Sequence, residues 1–279
     1  MTAAVAATVA AASLTLPATA AGDPATVRYV ALGDSRAAGP SLDRIAATNG
    51  CNRSDLGYPN LVARGVNAAS FLNLSCSGAR TENVTHTPQR TSAGAVSPQI
   101  DRMPSDTTLV TLSIGGNDIR WTTMISRCYA NGPGGDAGCW TDPALTRDAA
   151  SALADLAPKV WSTLTAIKAK APSARIILVG HGGIVGDRGC WPNLPISDAD
   201  TVWARGFFAL FNGVLATAAA TAGAQFVDVT AGTQGHDACA APDQRWFEGR
   251  HAGPSASPLH PNAAGMAHMA RQVLAVVRH

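Results

Sequence analysis

The sequence predicts an α/β fold, a three-layer α/β/α sandwich around a mainly parallel five-stranded sheet, and three observations carry that prediction. Five apolar, β-rich runs are each short and end in Gly or polar residues, as strands buried in a parallel sheet do. Helical patterns lie between and after them, so successive strands need right-handed crossover connections. The 279 residues are 46% hydrophobic and 14% charged, enough for one large core and far from the composition of a disordered chain. An α/β core of this length forms routinely as one domain, so residues 23–279 are expected to be a single unit.

The strand runs are residues 28–32, 71–74, 109–114, 175–179 and 225–229, all read as buried. The clearest helical patterns are 143–169, 198–222 and 261–277; the last opens with His260-Pro261-Asn262, where Pro261 suits a first helical turn. Residues 49–58, 128–142 and 182–195 are rich in Gly, Asn, Asp and Pro and are expected to be loops. In such a fold, chemistry belongs at the carboxyl ends of the strands.

Residues 1–22 read as an export signal: the first twenty carry no charge, are rich in Ala, Val and Leu, and end in the small-x-small pattern Ala18-Thr19-Ala20, although a basic residue near the start is missing. Their Ala-rich composition, Pro17 and lack of flanking charges disfavour a stable membrane anchor. Six cysteines, Cys51, Cys76, Cys128, Cys139, Cys190 and Cys239, are an even count beside an export signal and so favour three disulfides in a secreted protein. Fifteen pairings are open at this point. Zinc is disfavoured because no C-x₂-C pair and no suitably spaced His pair is present, and no metal or other cofactor is expected. With a net charge of +2 and scattered basic residues, nucleic acid is not an expected partner; a monomer is expected.

Three strand ends and one helix start carry candidate chemistry. Run 28–32 ends in Gly33-Asp34-Ser35-Arg36-Ala37-Ala38-Gly39, which places a hydroxyl where a following helix would aim its first amides, though Asp34 or Ser35 could equally be a helix cap. It is not a G-x-S-x-G elbow, since Ala37 stands at the second glycine position. Ser75-Cys76-Ser77-Gly78-Ala79 and Ser113-Ile114-Gly115-Gly116-Asn117-Asp118 follow the second and third runs. Gly78 could offer a backbone N–H and Asn117 a side-chain amide to an oxyanion, although a turn glycine and a helix entry explain them as well. Ser257-Pro258-Leu259-His260 puts an imidazole just before the last helix. Together these are the nucleophile, base and donors that acyl transfer needs.

These four segments, in this order and over roughly residue 29 to the end, resemble the consensus blocks of the GDSL branch of the SGNH hydrolases, which implies a flavodoxin-like sheet and a secreted lipase or esterase acting on small ester or lipid substrates. The resemblance implies Ser35 as nucleophile, His260 as base, and an oxyanion hole from the Ser35 N–H, Gly78 and Asn117. It also implies the pairs Cys51–Cys76, Cys128–Cys139 and Cys190–Cys239. The sequence departs from the family in two places: Arg36-Ala37-Ala38 follows the serine, putting a cation beside the nucleophile, and Ser257 stands where many members keep an Asp before the histidine. A Ser–His dyad is therefore expected, its imidazole held by the backbone carbonyl of Ser257 or a neighbour, with Asp237 and Asp243 as rival acids. The runner-up activity is a carbohydrate acetyl esterase, and a non-catalytic binding module on the same fold is a third reading.

Overall fold

The computed structural model describes Met1, residues 26–40, Leu42, residues 49–251 and residues 256–278. Apart from Met1, the segment read as an export signal lies outside the described residues. In chain order the elements are β1 (Arg28–Gly33), α1 (Ser35–Ala38), α2 (Tyr58–Gly65), β2 (Ser70–Asn73), α3 (Thr81–Thr85), β3 (Gln89–Thr91), β4 (Gly94–Val96), β5 (Leu109–Ser113), α4 (Trp121–Ser126), α5 (Pro143–Lys170), β6 (Arg175–Val179), α6 (Asp198–Thr221), β7 (Gln225–Val227) and α7 (Ala263–Val277). The five main strands form one sheet in the order β2-β1-β5-β6-β7, every pair parallel, while β3 and β4 make a separate antiparallel hairpin. The chain reverses direction across the sheet between β1 and β5, which opens a crevice at their carboxyl ends.

Period-two alternation sorts the strand side chains into two cores. Val30, Leu32, Val110, Leu112, Ile176 and Leu178 pack with Leu156, Val160 and Leu164 of α5 and Phe207, Phe211 and Leu215 of α6. Tyr29, Ala31, Leu109, Ile177 and Val179 face the other way, against Tyr58 and Val62 of α2 and Met266, Met269 and Val273 of α7. Both faces are covered, so each fully buried Leu, Ile or Val stabilises the fold by about 1.5–3 kcal/mol. The run at 71–74 differs from expectation. Its strand, β2, lies at the sheet edge with exposed and half-buried residues in alternation, and Leu72 is 38% exposed.

Helix starts follow capping chemistry. Asp142 accepts from the Ala144 and Leu145 N–H groups with Pro143 in the first turn of α5, and the Ser197 side chain accepts from the Asp200 N–H in α6. The start of α7 is later than the sequence pattern suggests. Asn262 is its cap, accepting from the Ala264 and Gly265 N–H groups, and Pro261 precedes the helix in a bridge to Phe247. The Asn262 carboxamide satisfies two of the orphan amides of the first turn.

Disulfides Cys51–Cys76, Cys128–Cys139 and Cys190–Cys239 fasten the irregular segments. The first ties the loop before α2 to the carboxyl end of β2, where the Ser77 N–H also donates to the Cys51 carbonyl. The second closes the loop before α5, and the third joins the loops that follow β6 and β7. All three therefore act at the end of the sheet where the candidate chemistry lies.

Candidate active site

The end of β1 is held from three sides. The Gln99 carboxamide accepts from the Gly33 N–H and donates to the Gly33 carbonyl, both at 2.8 Å, and the Cys76 N–H donates to the same carbonyl. Gly33 has φ 131°, and a Cβ there would run into the Ser113 carbonyl oxygen of β5, so no larger residue fits this strand end. The next residue, Asp34, caps α1 by accepting from the Arg36 N–H at 3.0 Å. Asp34 thus takes the capping role, which leaves the Ser35 hydroxyl available at the first turn.

That hydroxyl meets His260. Ser35 Oγ and His260 Nε2 are 2.7 Å apart, and on the other side of the ring Nδ1 lies 2.7 Å from the Pro258 carbonyl oxygen. A carbonyl can only accept, so Nδ1 carries the proton and Nε2 presents its lone pair to the serine hydroxyl. Of the carbonyls expected from the sequence, Ser257 or a neighbour, the acceptor is the neighbour Pro258 and not Ser257. Ser257 instead accepts from the His260 backbone N–H, closing a tight turn in which Leu259 has φ 60°, and that turn aims the Pro258 carbonyl at the ring. The turn is anchored outward as well: the Glu248 N–H donates to the His260 carbonyl, and the Leu259 N–H to the Gly249 carbonyl. Among the described residues neither rival acid touches the imidazole. Asp237 caps the Cys239 N–H and Asp243 is exposed.

Burial lowers the His260 pKa below its ordinary 6.5, the hydrogen bond to the Pro258 carbonyl opposes that shift, and the Arg36 charge adds to it. Arg36, placed beside the nucleophile in sequence, does not face substrate space. Its side chain turns inward, 2% exposed, over the Phe247 ring and toward Met269 Sδ. Burial lowers its pKa to about 10 and raises that of neighbouring Asp34 to about 7.

The two donor segments are joined to each other. Asn117 Nδ2 donates to the Ala79 carbonyl at 2.9 Å, and Asp118 accepts from the Thr81 hydroxyl and N–H. One amide hydrogen fixes the Asn117 carboxamide, and the other remains for a ligand. Gly78 has φ 82° and is exposed, with no hydrogen bond from its N–H among the described residues; a side chain at this left-handed position would be strained. The Ser35 N–H opens α1 and has no intrahelical partner. Ser35, Gly78, Asn117 and His260 thus come from four segments more than 30 residues apart and lie at one end of the sheet.

Sequence reasoning missed Gln99 and His181. Gln99 carries no local signal, because its role is to pair with a distant backbone. His181 is buried, and a Cβ on Gly116 would press against its ring, which packs on Phe211 and the edge of Trp121. Burial, then the Arg36 and His260 charges, hold its pKa well below 6.5, so it supports the Gly115-Gly116 turn as a neutral ring.

Comparison with known proteins places the chain in a family. A family model described as the GDSL-like lipase/acylhydrolase family matches residues 31–268. Lipase 2 of Streptomyces coelicolor is 36% identical over 261 residues, 90% of this chain and 86% of that protein. The crystal structure of phospholipase A1 from Streptomyces albidoflavus superposes with a TM-score of 0.71 at 28% identity, covering 91% of this chain and 99% of that one. The extracellular lipase from Streptomyces rimosus gives a TM-score of 0.69 at 27% identity, over 90% and 98%.

Proposed function

Because the chain belongs to the GDSL-like lipase/acylhydrolase family, and is by that membership a carboxylic ester hydrolase, we propose that it cleaves lipid esters through an acyl-enzyme on Ser35 with His260 as general base. The observation that carries this reading is the 2.7 Å contact between Ser35 Oγ and an imidazole whose tautomer is set by a carbonyl. In the proposed cycle Oγ attacks the ester carbonyl carbon while its proton passes to His260 Nε2. The tetrahedral intermediate then collapses, the ester C–O bond breaks, and His260 returns the proton to the leaving alkoxide oxygen. Water repeats both steps and releases the acid. The Ser35 and Gly78 N–H groups and the second Asn117 amide hydrogen supply the oxyanion donors in this reading.

The substrate panel that tests it contains a triglyceride, a phosphatidylcholine and an acetylated xylooligosaccharide, each assayed with and without a serine-reactive fluorophosphonate. Turnover of the two lipids, lost on labelling at Ser35, is expected. Turnover of the acetylated sugar alone would replace the lipid reading with a sugar esterase, and a failure to label would leave a binding module. Secretion is part of the same proposal and is supported by the three disulfides and by the extracellular relative.

The dyad carries its own prediction. A lost triad carboxylate lowers turnover by about 10⁴ in serine proteases. With Pro258 already satisfying Nδ1, the variants Asp237→Asn, Asp243→Asn and Ser257→Ala are each expected to stay within roughly tenfold of the parent, well short of that loss. A thousandfold fall in kcat for either folded Asp variant would put a carboxylate back into the mechanism.

A further inference from the structure

We propose that the two disulfide-stapled loops beside the candidate active site form a docking surface for a zwitterionic phospholipid bilayer, with Trp140 and Trp191 as its anchors; the proposal rests on the ester-cleaving reading of Ser35 and His260. Each tryptophan directly follows a disulfide cysteine, Cys139 or Cys190, and the two indoles are 54% and 45% exposed. Single exposed hydrophobic residues are ordinary on protein surfaces. Here two of the six tryptophans stand on adjoining loops, with exposed Val202 in α6 two residues beyond the Asp200 that accepts from the Trp140 N–H.

The loops are bound to one another. The Ala130 N–H donates to the Pro195 carbonyl at 2.7 Å, the Ser197 hydroxyl to Asp136, and the Trp140 N–H to Asp200 Oδ1 at 2.9 Å. They also face the same way as the site. Trp191 lies in the segment leaving the carboxyl end of β6, and Trp140 just precedes α5, which runs back toward the amino end of that strand. The connection to the catalytic turn is short: the Arg250 N–H donates to the Asn193 carbonyl at 2.7 Å, and the Glu248 N–H to the His260 carbonyl at 2.9 Å.

Charge selects the kind of lipid. Residues 127–142 and 182–205 contain five aspartates against three arginines, and Arg127 and Arg205 are committed to salt bridges with aspartates. Of these aspartates Asp200 is buried, and exposed Arg250 lies over Tyr129 of the first loop, so the surface charges balance and the rim carries no net positive charge to draw an anionic surface. The indoles, whose amphipathic rings favour the headgroup layer, must supply the attraction. Because the cystines already fix both loops, docking orders little further backbone.

Partition onto phosphatidylcholine vesicles, read by co-sedimentation in a Ser35→Ala background so that the lipid persists, tests this surface. The Trp140→Ala/Trp191→Ala pair is expected to weaken partition by roughly tenfold or more, the scale of removing buried indole area, and each single variant by several-fold. In the Ser35 background, hydrolysis of a monomeric short-chain ester should stay within twofold of the parent. Unchanged partition in both single variants, or wild-type binding confined to phosphatidylglycerol vesicles and abolished by salt, would overturn the proposal. If the parent with Ser35 intact does not hydrolyse the monomeric ester, the ester-cleaving reading is what fails, irrespective of the vesicle result.

Discussion

Ser35→Ala and His260→Ala are each expected to reduce ester turnover by about 10⁶-fold, the loss that serine proteases suffer when either member of the pair is removed alone. The two side chains act as one proton-transfer unit across the 2.7 Å contact, so the double variant should be no worse than either single one. Neither change should unfold the protein. Ser35 follows the capping Asp34, whose bond to the Arg36 N–H is independent of the hydroxyl, and the His260 backbone is held through its own N–H and carbonyl. Retention of a tenth of parental kcat by a folded Ser35→Ala protein would remove Ser35 from the mechanism. The pH profile gives a second reading of the same unit. His260 must be neutral to accept the proton, and burial lowers its pKa below 6.5, so it becomes cationic only at more acidic pH than a free imidazole. The acid limb of kcat/KM should therefore have its midpoint below 6.5, with a plateau through neutrality. A midpoint above 6.5 would mean that another group controls the rate.

Asn117→Ala is expected to lower kcat by about 10²–10³ while changing KM little, because an oxyanion donor acts mainly on the transition state. The Ala79 carbonyl holds one Nδ2 hydrogen at 2.9 Å, and so aims the second without leaving the carboxamide free to rotate. Truncation removes the donor and also the tie between the β2 and β5 loops. Asn117→Asp separates these effects, since it keeps the size but replaces the donor with an acceptor and a charge. Both variants should lose turnover, and the melting temperature shows whether the tie matters to stability. If kcat falls less than tenfold in a folded Asn117→Ala protein, Asn117 contributes only to loop structure.

The sequence by itself determined the layers and the parts list. The short apolar runs of β1, β5 and β6 and the long apolar patterns of α5, α6 and α7 are local signals, and the structure turns them into a five-stranded parallel sheet covered on both faces. The four segments that supply Ser35, Gly78, Asn117 and His260 were legible because strand ends and a helix start carry their own turn chemistry. Burial of β2 was misread, since a short apolar run looks the same whether its strand is central or at the edge, and only the pairing order decides which. The α7 start was misplaced by a residue pair because Pro261 and Asn262 both suit a helix entry, and the Asn262 carboxamide took the cap. Tertiary structure alone decided which carbonyl orients His260. Ser257 and Pro258 offer chemically equivalent oxygens, and the choice follows from a turn whose anchors, Glu248 and Gly249, lie in another loop. It also decided that Arg36 points inward. The sequence sets a cation next to the nucleophile, but the first turn of α1 rotates it away from Ser35 and beneath Phe247, a ring more than 200 residues distant in sequence. Contacts between residues that far apart leave no local pattern, so the direction of a side chain at such a site emerges only when the layers have packed.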